Sequence, residues 1–218
     1  MNGLQCPRLL WFANKKLLPE IDLSTEHKFS QGHDFEEYVK KLYPDSLDLN
    51  GLGFKENLEK TKEAVKNKKT IFEASFMIDN LFVRSDLIIP QGDSWDLIEI
   101  KSTTQSKPQH IPDLAFQKYV LEKAGLKVNK CFLIYLNKEY VKNGEIDPKE
   151  LTVQEEVTEK VNSFTDIESH IPKFIEVMNA SEYKDIPIGQ HCNKPYECPL
   201  KKECWGTLPE NNVLQLTN

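Results

Sequence analysis

The stretch SDLIIPQGDSWDLIEIKST, residues 85–103, limits the fold more than any other part of the chain. Two short apolar runs flank the polar PQGDS segment, the pattern of two strands joined by a turn. Side chains alternate faces along a strand. Glu99 and Lys101 therefore point the same way, with Ile100 turned into the core and Asp86 on the strand before. A carboxylate and an ammonium at a buried strand end are costly to desolvate unless something pairs with them. A divalent cation is one such partner, because carboxylate oxygens suit Mg²⁺ and Mn²⁺.

The flanking sequence builds an α/β architecture, a mixed sheet covered by helices. LQCPRLLWFANKKLL has partial helical periodicity, and Cys6-Pro7 reads as its entry turn. Residues 19–31 are polar and read as a loop. QGHDFEEYVKKLYP predicts a short helix stopped by Pro44, with Phe35, Tyr38, Val39 and Leu42 on its buried face. Glu36 lies at the flank of that stripe, whereas His33 and Glu37 point away. ENLEKTKEAVKNKK predicts a charged helix with a thin seam at Leu58, Ala64 and Val65. Its lysines read as a solvated face. TIFEASFMIDNLFVRSDLII reads as a hairpin turning at Asp79-Asn80. A helix is expected from about Pro112 to Ala124, and KVNKCFLIYLN as an interior strand. Cys131 lies within that strand and reads as a packing residue. Another strand is expected within 151–160. FTDIESHIPKFIEVMNAS then forms an amphipathic helix buried through Ile167, Ile171, Phe174, Ile175 and Met178. The whole is expected to be a single domain.

No apolar run approaches the roughly 20 residues of a membrane span. The opening MNGLQCPRLLWF lacks a basic region and a small-residue cleavage site, so a cytoplasmic protein is expected. The net charge of −6 argues against broad coating of nucleic acid but leaves room for a local groove.

Of the five cysteines, Cys192, Cys198 and Cys204 fall in the tail with x5/x5 spacing, and Cys6 lies near the start. An odd number without a secretory signal speaks against a disulfide framework. Four thiolates fit either tetrahedral Zn²⁺ or an iron–sulfur cluster. The short C-x2-C knuckles of zinc ribbons are absent, and the wide spacing suits a larger cubane better. His191 is an alternative ligand, although a loop histidine needs no such role.

Hydrolysis of a phosphodiester needs a metal to generate hydroxide and to steady charge on the phosphoryl oxygens. Asp86 and Glu99 would hold it from adjacent strands, with the backbone carbonyl of Ile100 as a third ligand and Lys101 beside water and phosphate.

LQCPRLLW, Gly-x3-Glu at Gly32 and Glu36, Asp86…Glu99-x-Lys101, a Gln-bearing helix and a cysteine-rich tail closing on Cys-Trp follow one another in that order. The arrangement resembles the RecB-type nucleases of the PD-(D/E)XK superfamily that carry an iron–sulfur cluster. These include the CRISPR-associated exonuclease family and AddB-type nuclease domains. The resemblance covers nearly the whole chain. It implies a restriction-endonuclease-like nuclease core over 30–180 and a [4Fe–4S] cluster on Cys6, Cys192, Cys198 and Cys204 that joins segments 1–18 and 185–218. It also implies Mg²⁺- or Mn²⁺-dependent cleavage of single-stranded DNA or DNA ends, in repair or in CRISPR-type antiviral defence, with protein partners possible. The catalytic set is then Asp86, Glu99, Lys101 and Gln117, with Glu36 as a further metal ligand.

The chain departs from the family at three points. Glu36 stands where a histidine is usual, which makes His33 the substitute. Leu121 replaces the tyrosine of Gln-x3-Tyr, leaving Tyr119 as the candidate DNA contact. The tail spacing lacks the family's tighter first pair. A DNA-binding or adaptor subunit with little catalysis is the alternative reading.

Overall fold

The structure is a computed structural model that describes residues 2–19, 23–206, 208–209 and 211–212. In chain order its elements begin with α1 (Asn2–Gln5), α2 (Pro7–Asn14), α3 (Leu23–Lys40), β1 (Leu47–Asp48), α4 (Phe54–Lys66), β2 (Ile71–Ile78), β3 (Leu81–Gln91) and β4 (Ser94–Lys101). There follow α5 (His110–Lys123), β5 (Val128–Leu136), α6 (Pro148–Leu151), β6 (Thr152–Glu156), α7 (Thr158–Ser163), α8 (Ile167–Asn179), a 3₁₀ turn (Gln190–Cys192) and α9 (Lys201–Trp205). The chain divides into two compact units, Asp22–Ile167 and Met1–Ile21 with Glu168–Asn218.

The first unit is a mixed α/β layer. Its six strands lie in the order β1-β2-β3-β4-β5-β6. β2, β3 and β4 form an antiparallel meander; β1 joins β2 and β5 joins β4 in parallel; β6 closes antiparallel on β5. The parallel step from β4 to β5 needs a crossover, which α5 supplies. β4 is buried along six of its eight residues, as expected for an interior strand. Glu99 and Lys101 are thus not an edge-strand ion pair. Phe35 and Val39 of α3 pack with Phe72, Leu87, Ile98, Ile100 and Ile134 of the strands.

Three expectations need correction. The loop over 19–31 falls partly on residues 20–22, outside the described residues, and from Leu23 the chain is already helical. Once Phe35 and Val39 anchor α3, propagation toward its start costs little, since the nucleus is already formed. Second, the seam of α4 runs through Asn57, Thr61 and Ala64, not through Leu58 and Val65. Asn57 Nδ2 donates to the carbonyls of Leu49 (3.2 Å) and Glu73 (3.0 Å), and Thr61 Oγ1 accepts from the Ser75 amide at 3.0 Å. These polar groups tolerate burial because each is paired. Third, α8 belongs with the terminal segments and not with a 30–180 core. Of its five expected face residues only Ile167 is fully buried.

The terminal unit holds a small apolar cluster of Cys6, Leu9, Cys198 and Leu200, with Phe12, Ile186 and Cys204 against it. Long-range polar contacts knit it. Gln5 Nε2 donates to the carbonyls of His191 and Tyr196, both at 2.8 Å, and Trp11 Nε1 to that of Ala180 at 2.9 Å. No helix among the described residues is long and apolar enough to cross a membrane.

Candidate metal centre

Register places the first two carboxylates. Ile71 pairs with Ile88, Phe72 with Leu87 and Ala74 with Ser85, so Glu73 stands across from Asp86. Like charges directly opposite on paired strands destabilise. Glu73 also holds a backbone φ of +58°, a left-handed conformation uncommon for a residue with a side chain. Its carbonyl is held there by Asn57. On the other side, the β3–β4 ladder ends at Leu87↔Ile98. Beyond that pair the Ile100 amide donates to Asp86 Oδ2 at 2.7 Å, a side chain replacing the missing ladder acceptor. Ile100 thus meets the site through its N–H.

α3 brings the third carboxylate. A Cβ at Gly32 would lie 3.6 Å from Ser102 Oγ, so α3 passes beside the end of β4. One turn later Glu36 faces inward. Among the described residues, Glu36, Glu73 and Asp86 offer oxygens that all lie within 4.8 Å of one another. His33 is 58% exposed, with Nδ1 3.9 Å from Glu36 Oε2, and does not join them.

Glu99 completes the site beside Asp86. Its Oε1 pairs with Lys101 Nζ, and its Oε2 accepts from Gln117 Nε2 at 2.6 Å. Gln117 reaches it because it lies on the buried face of α5 with Leu114 and Leu121. Its own Oε1 is buried without a hydrogen-bond partner. Lys101 Nζ also lies 3.7 Å from Asp113 Oδ2. Tyr119 is half-buried beneath Lys123 Nζ, 5.3 Å from its ring centroid, and takes no part.

Burial sets the electrostatics. It pushes Asp86 well above the usual carboxylate range, aided by Glu99 and opposed by Lys101 and the Ile100 amide. Glu99 is raised by burial against the pull of Lys101. Glu36 and Glu73 are raised mainly by burial as well. Burial works to lower Lys101, but Glu99 and Asp86 outweigh it and the ammonium is held charged. His110, buried beside Lys101, is lowered to about 4, chiefly by burial and then by that charge, so it is neutral at pH 7. The four carboxylates are desolvated, with Lys101 on Glu99, Arg84 Nε 3.9 Å from Glu73 Oε2 and Lys40 drawing on Glu36 and Glu73; their oxygens are the donor chemistry that Mg²⁺ and Mn²⁺ take.

The sequence reading missed Glu73, Asp113 and His110. The signal for Glu73 was present: a two-residue turn at Asp79-Asn80 sets Ile78 opposite Leu81, and counting back sets Glu73 opposite Asp86. Asp113 and His110 had none, since both depend on how α5 packs.

Glu73→Gln carries a prediction with opposite signs. A carboxyl raised by burial is costly when ionised, so metal-free stability falls as pH rises through its folded-state value. At pH 7 the variant is therefore expected to melt higher than wild type without metal. Millimolar Mg²⁺ or Mn²⁺ should then raise its melting temperature less than that of wild type. Equal metal-induced shifts would remove Glu73 from the site.

In the terminal unit, Cys6, Cys192, Cys198 and Cys204 line one concavity together with Arg8, His191, Lys201 and apolar side chains. Burial raises the thiols of Cys198 and Cys204, and neighbouring cysteines raise them further. His191 Nε2 lies 3.7 Å from Cys192 Sγ. Cys131, fully buried in β5, is pushed up to about 12 by burial and stays a thiol.

No protein-family model matches the chain. It is 33% identical over 98 residues to the uncharacterized protein UU173 of Ureaplasma parvum serovar 3, covering 43% of this chain. The chain matches only 14% of that relative's length.

Proposed function

We propose that the protein is a cytoplasmic, metal-dependent deoxyribonuclease with a RecB-type, restriction-endonuclease-like core of the PD-(D/E)XK kind, acting on single-stranded DNA or DNA ends in repair or CRISPR-type defence. One observation carries the reading. Where β3 and β4 part, Asp86 and Glu99 face one another with Lys101 on Glu99, and Glu36 and Glu73 gather on Asp86.

Asp86, Glu99, Glu36 and Glu73 would hold Mg²⁺ or Mn²⁺. A bound divalent cation supplies Lewis acidity and a water that ionises near neutral pH. The protein's part is placement and charge. Gln117 keeps hold of Glu99 Oε2 and fixes the carboxylate plane. Lys101 leaves Glu99 Oε1 for the scissile phosphate, where its ammonium offsets charge developing on the non-bridging oxygens. Asp113 steadies the lysine during that exchange.

The four thiols of the terminal unit suit a [4Fe–4S] cluster. Four thiolates on one concavity could also take tetrahedral zinc, but the x5/x5 tail spacing without short C-x2-C knuckles suits the larger cubane better. Its role is structural, because ligand binding becomes folding free energy when no site exists in the unfolded chain.

The test uses anaerobically purified protein, end-labelled single- and double-stranded DNA, and added Mg²⁺ or Mn²⁺, with Asp86→Asn alongside. Metal-dependent degradation by wild type, lost in Asp86→Asn, is expected. A folded, metal-binding wild type that leaves both substrates whole would replace this reading with that of a DNA-binding subunit.

A further inference from the structure

We propose that Arg8 donates its Nε–H to a sulfur of the group held by Cys6, Cys192, Cys198 and Cys204, and thereby sets its reduction potential and its resistance to air. The inference rests on the iron–sulfur reading given above.

Arg8 lies two residues after Cys6, in the first turn of α2, and lines the same concavity as the four thiols. Its guanidinium is clamped from outside. The guanidinium carbon sits 4.4 Å from the Tyr183 ring centroid, and Nη2 lies 3.5 Å from the Tyr183 hydroxyl. Tyr183 in turn packs on Trp11 and Phe12, with ring centroids 5.5 and 5.2 Å apart. These contacts hold the tip of the side chain, while Nε is buried without a hydrogen-bond partner. A buried charged donor without an acceptor is costly, and such groups in native proteins call for an explanation. Sulfur held by the surrounding thiols is the acceptor this concavity would provide.

The other cation there is already engaged, since Lys201 Nζ bonds Glu197 Oε1 at 2.8 Å. Arg8 also acts on Cys204, holding its thiol down against the rise that burial causes. A [4Fe–4S] cluster with four thiolates carries a net charge of about −2, and one-electron reduction takes it to about −3. Hydrogen bonds to its sulfurs and a nearby cation favour the more negative form, which raises the potential.

Wild type, Arg8→Gln and Arg8→Lys would be purified without oxygen. Iron and zinc per chain, absorbance near ~400 nm, where thiolate-bound clusters absorb, and the midpoint of an EPR-monitored reductive titration would be measured. Both variants are expected to bind iron and to titrate at more negative potential than wild type. Arg8→Gln, which also loses the charge, should shift further and bleach several-fold faster in air. An iron-loaded variant with the wild-type potential and bleaching rate would overturn the role of Arg8. Should Arg8→Gln fail to fold, Arg8→Lys decides alone, because it keeps the charge and removes the Nε donor. Wild type carrying zinc or no metal would overturn the cluster reading itself, a result separate from any difference among the variants.

Discussion

Lys101→Ala is expected to slow metal-dependent DNA cleavage about 10²- to 10³-fold, the usual cost of removing one preorganised group that steadies transition-state charge. The same change should leave divalent-cation binding intact or tighten it. In the metal-free protein Lys101 occupies Glu99 Oε1 and is the charge that most offsets the burial of that carboxylate. Its removal frees an oxygen that a cation would otherwise have to win by displacing an ammonium. The two readouts separate roles: a metal ligand loses affinity and activity together, whereas Lys101 should lose activity alone. Isothermal titration with Mn²⁺ beside a cleavage assay measures both. Weaker Mn²⁺ binding in step with lost cleavage would show instead that Lys101 only holds the site together.

Cys198→Ala is expected to unfold the terminal unit while the sheet unit stays folded. Cys198 is buried, and its amide bonds the Cys192 carbonyl at 2.9 Å, so it lies at the centre of the tail. The apolar cluster there is small, with Cys6, Leu9 and Leu200 as its other buried members. So few side chains cannot offset the entropy of ordering the two segments. Ligand binding at a thiol site contributes on the order of 10 kcal/mol, and one missing ligand forfeits much of that. Limited proteolysis should open Cys198→Ala within 168–206 and spare 32–166, with absorbance near ~400 nm lost. Cys131→Ala is the control. That thiol packs in β5 and holds nothing, so the variant should keep its colour and lose only about 1 kcal/mol, the order expected for a small buried cavity. A stable, colourless Cys198→Ala would remove the structural role of the tail cysteines.

Much of the sheet unit was legible because its strands announce themselves. Alternation in WDLIEIK, the apolar run in CFLIYL and the turn at Asp79-Asn80 each survive in the structure as β4, β5 and the β2–β3 connection. The placement of Asp86 and Glu99 on adjacent strands followed from the same pattern. The start of α3 was hidden because LSTEHKFSQ has no apolar period to reveal it. The face of α4 was misread because a hydrophobic pattern cannot show that Asn57 and Thr61 are buried to serve backbone groups of other strands. Glu36 was visible at the flank of a stripe, yet only the passage of α3 beside Ser102 brings it to Asp86. Contacts set by the packing of whole elements leave no local trace in sequence.

The division into two units also fixes an order of assembly during translation. Residues 22–167 are contiguous, so the sheet can close while the ribosome is still adding the tail. Gln5, by contrast, waits for a partner 186 positions later. At 5–20 residues per second that delay is about ten to forty seconds, with Cys6 lacking its partner thiols throughout. A nascent chain stalled before residue 192 would thus already contain every residue of the carboxylate centre while its cysteine pocket is still incomplete. Assembly of that pocket therefore follows synthesis of the whole sheet unit.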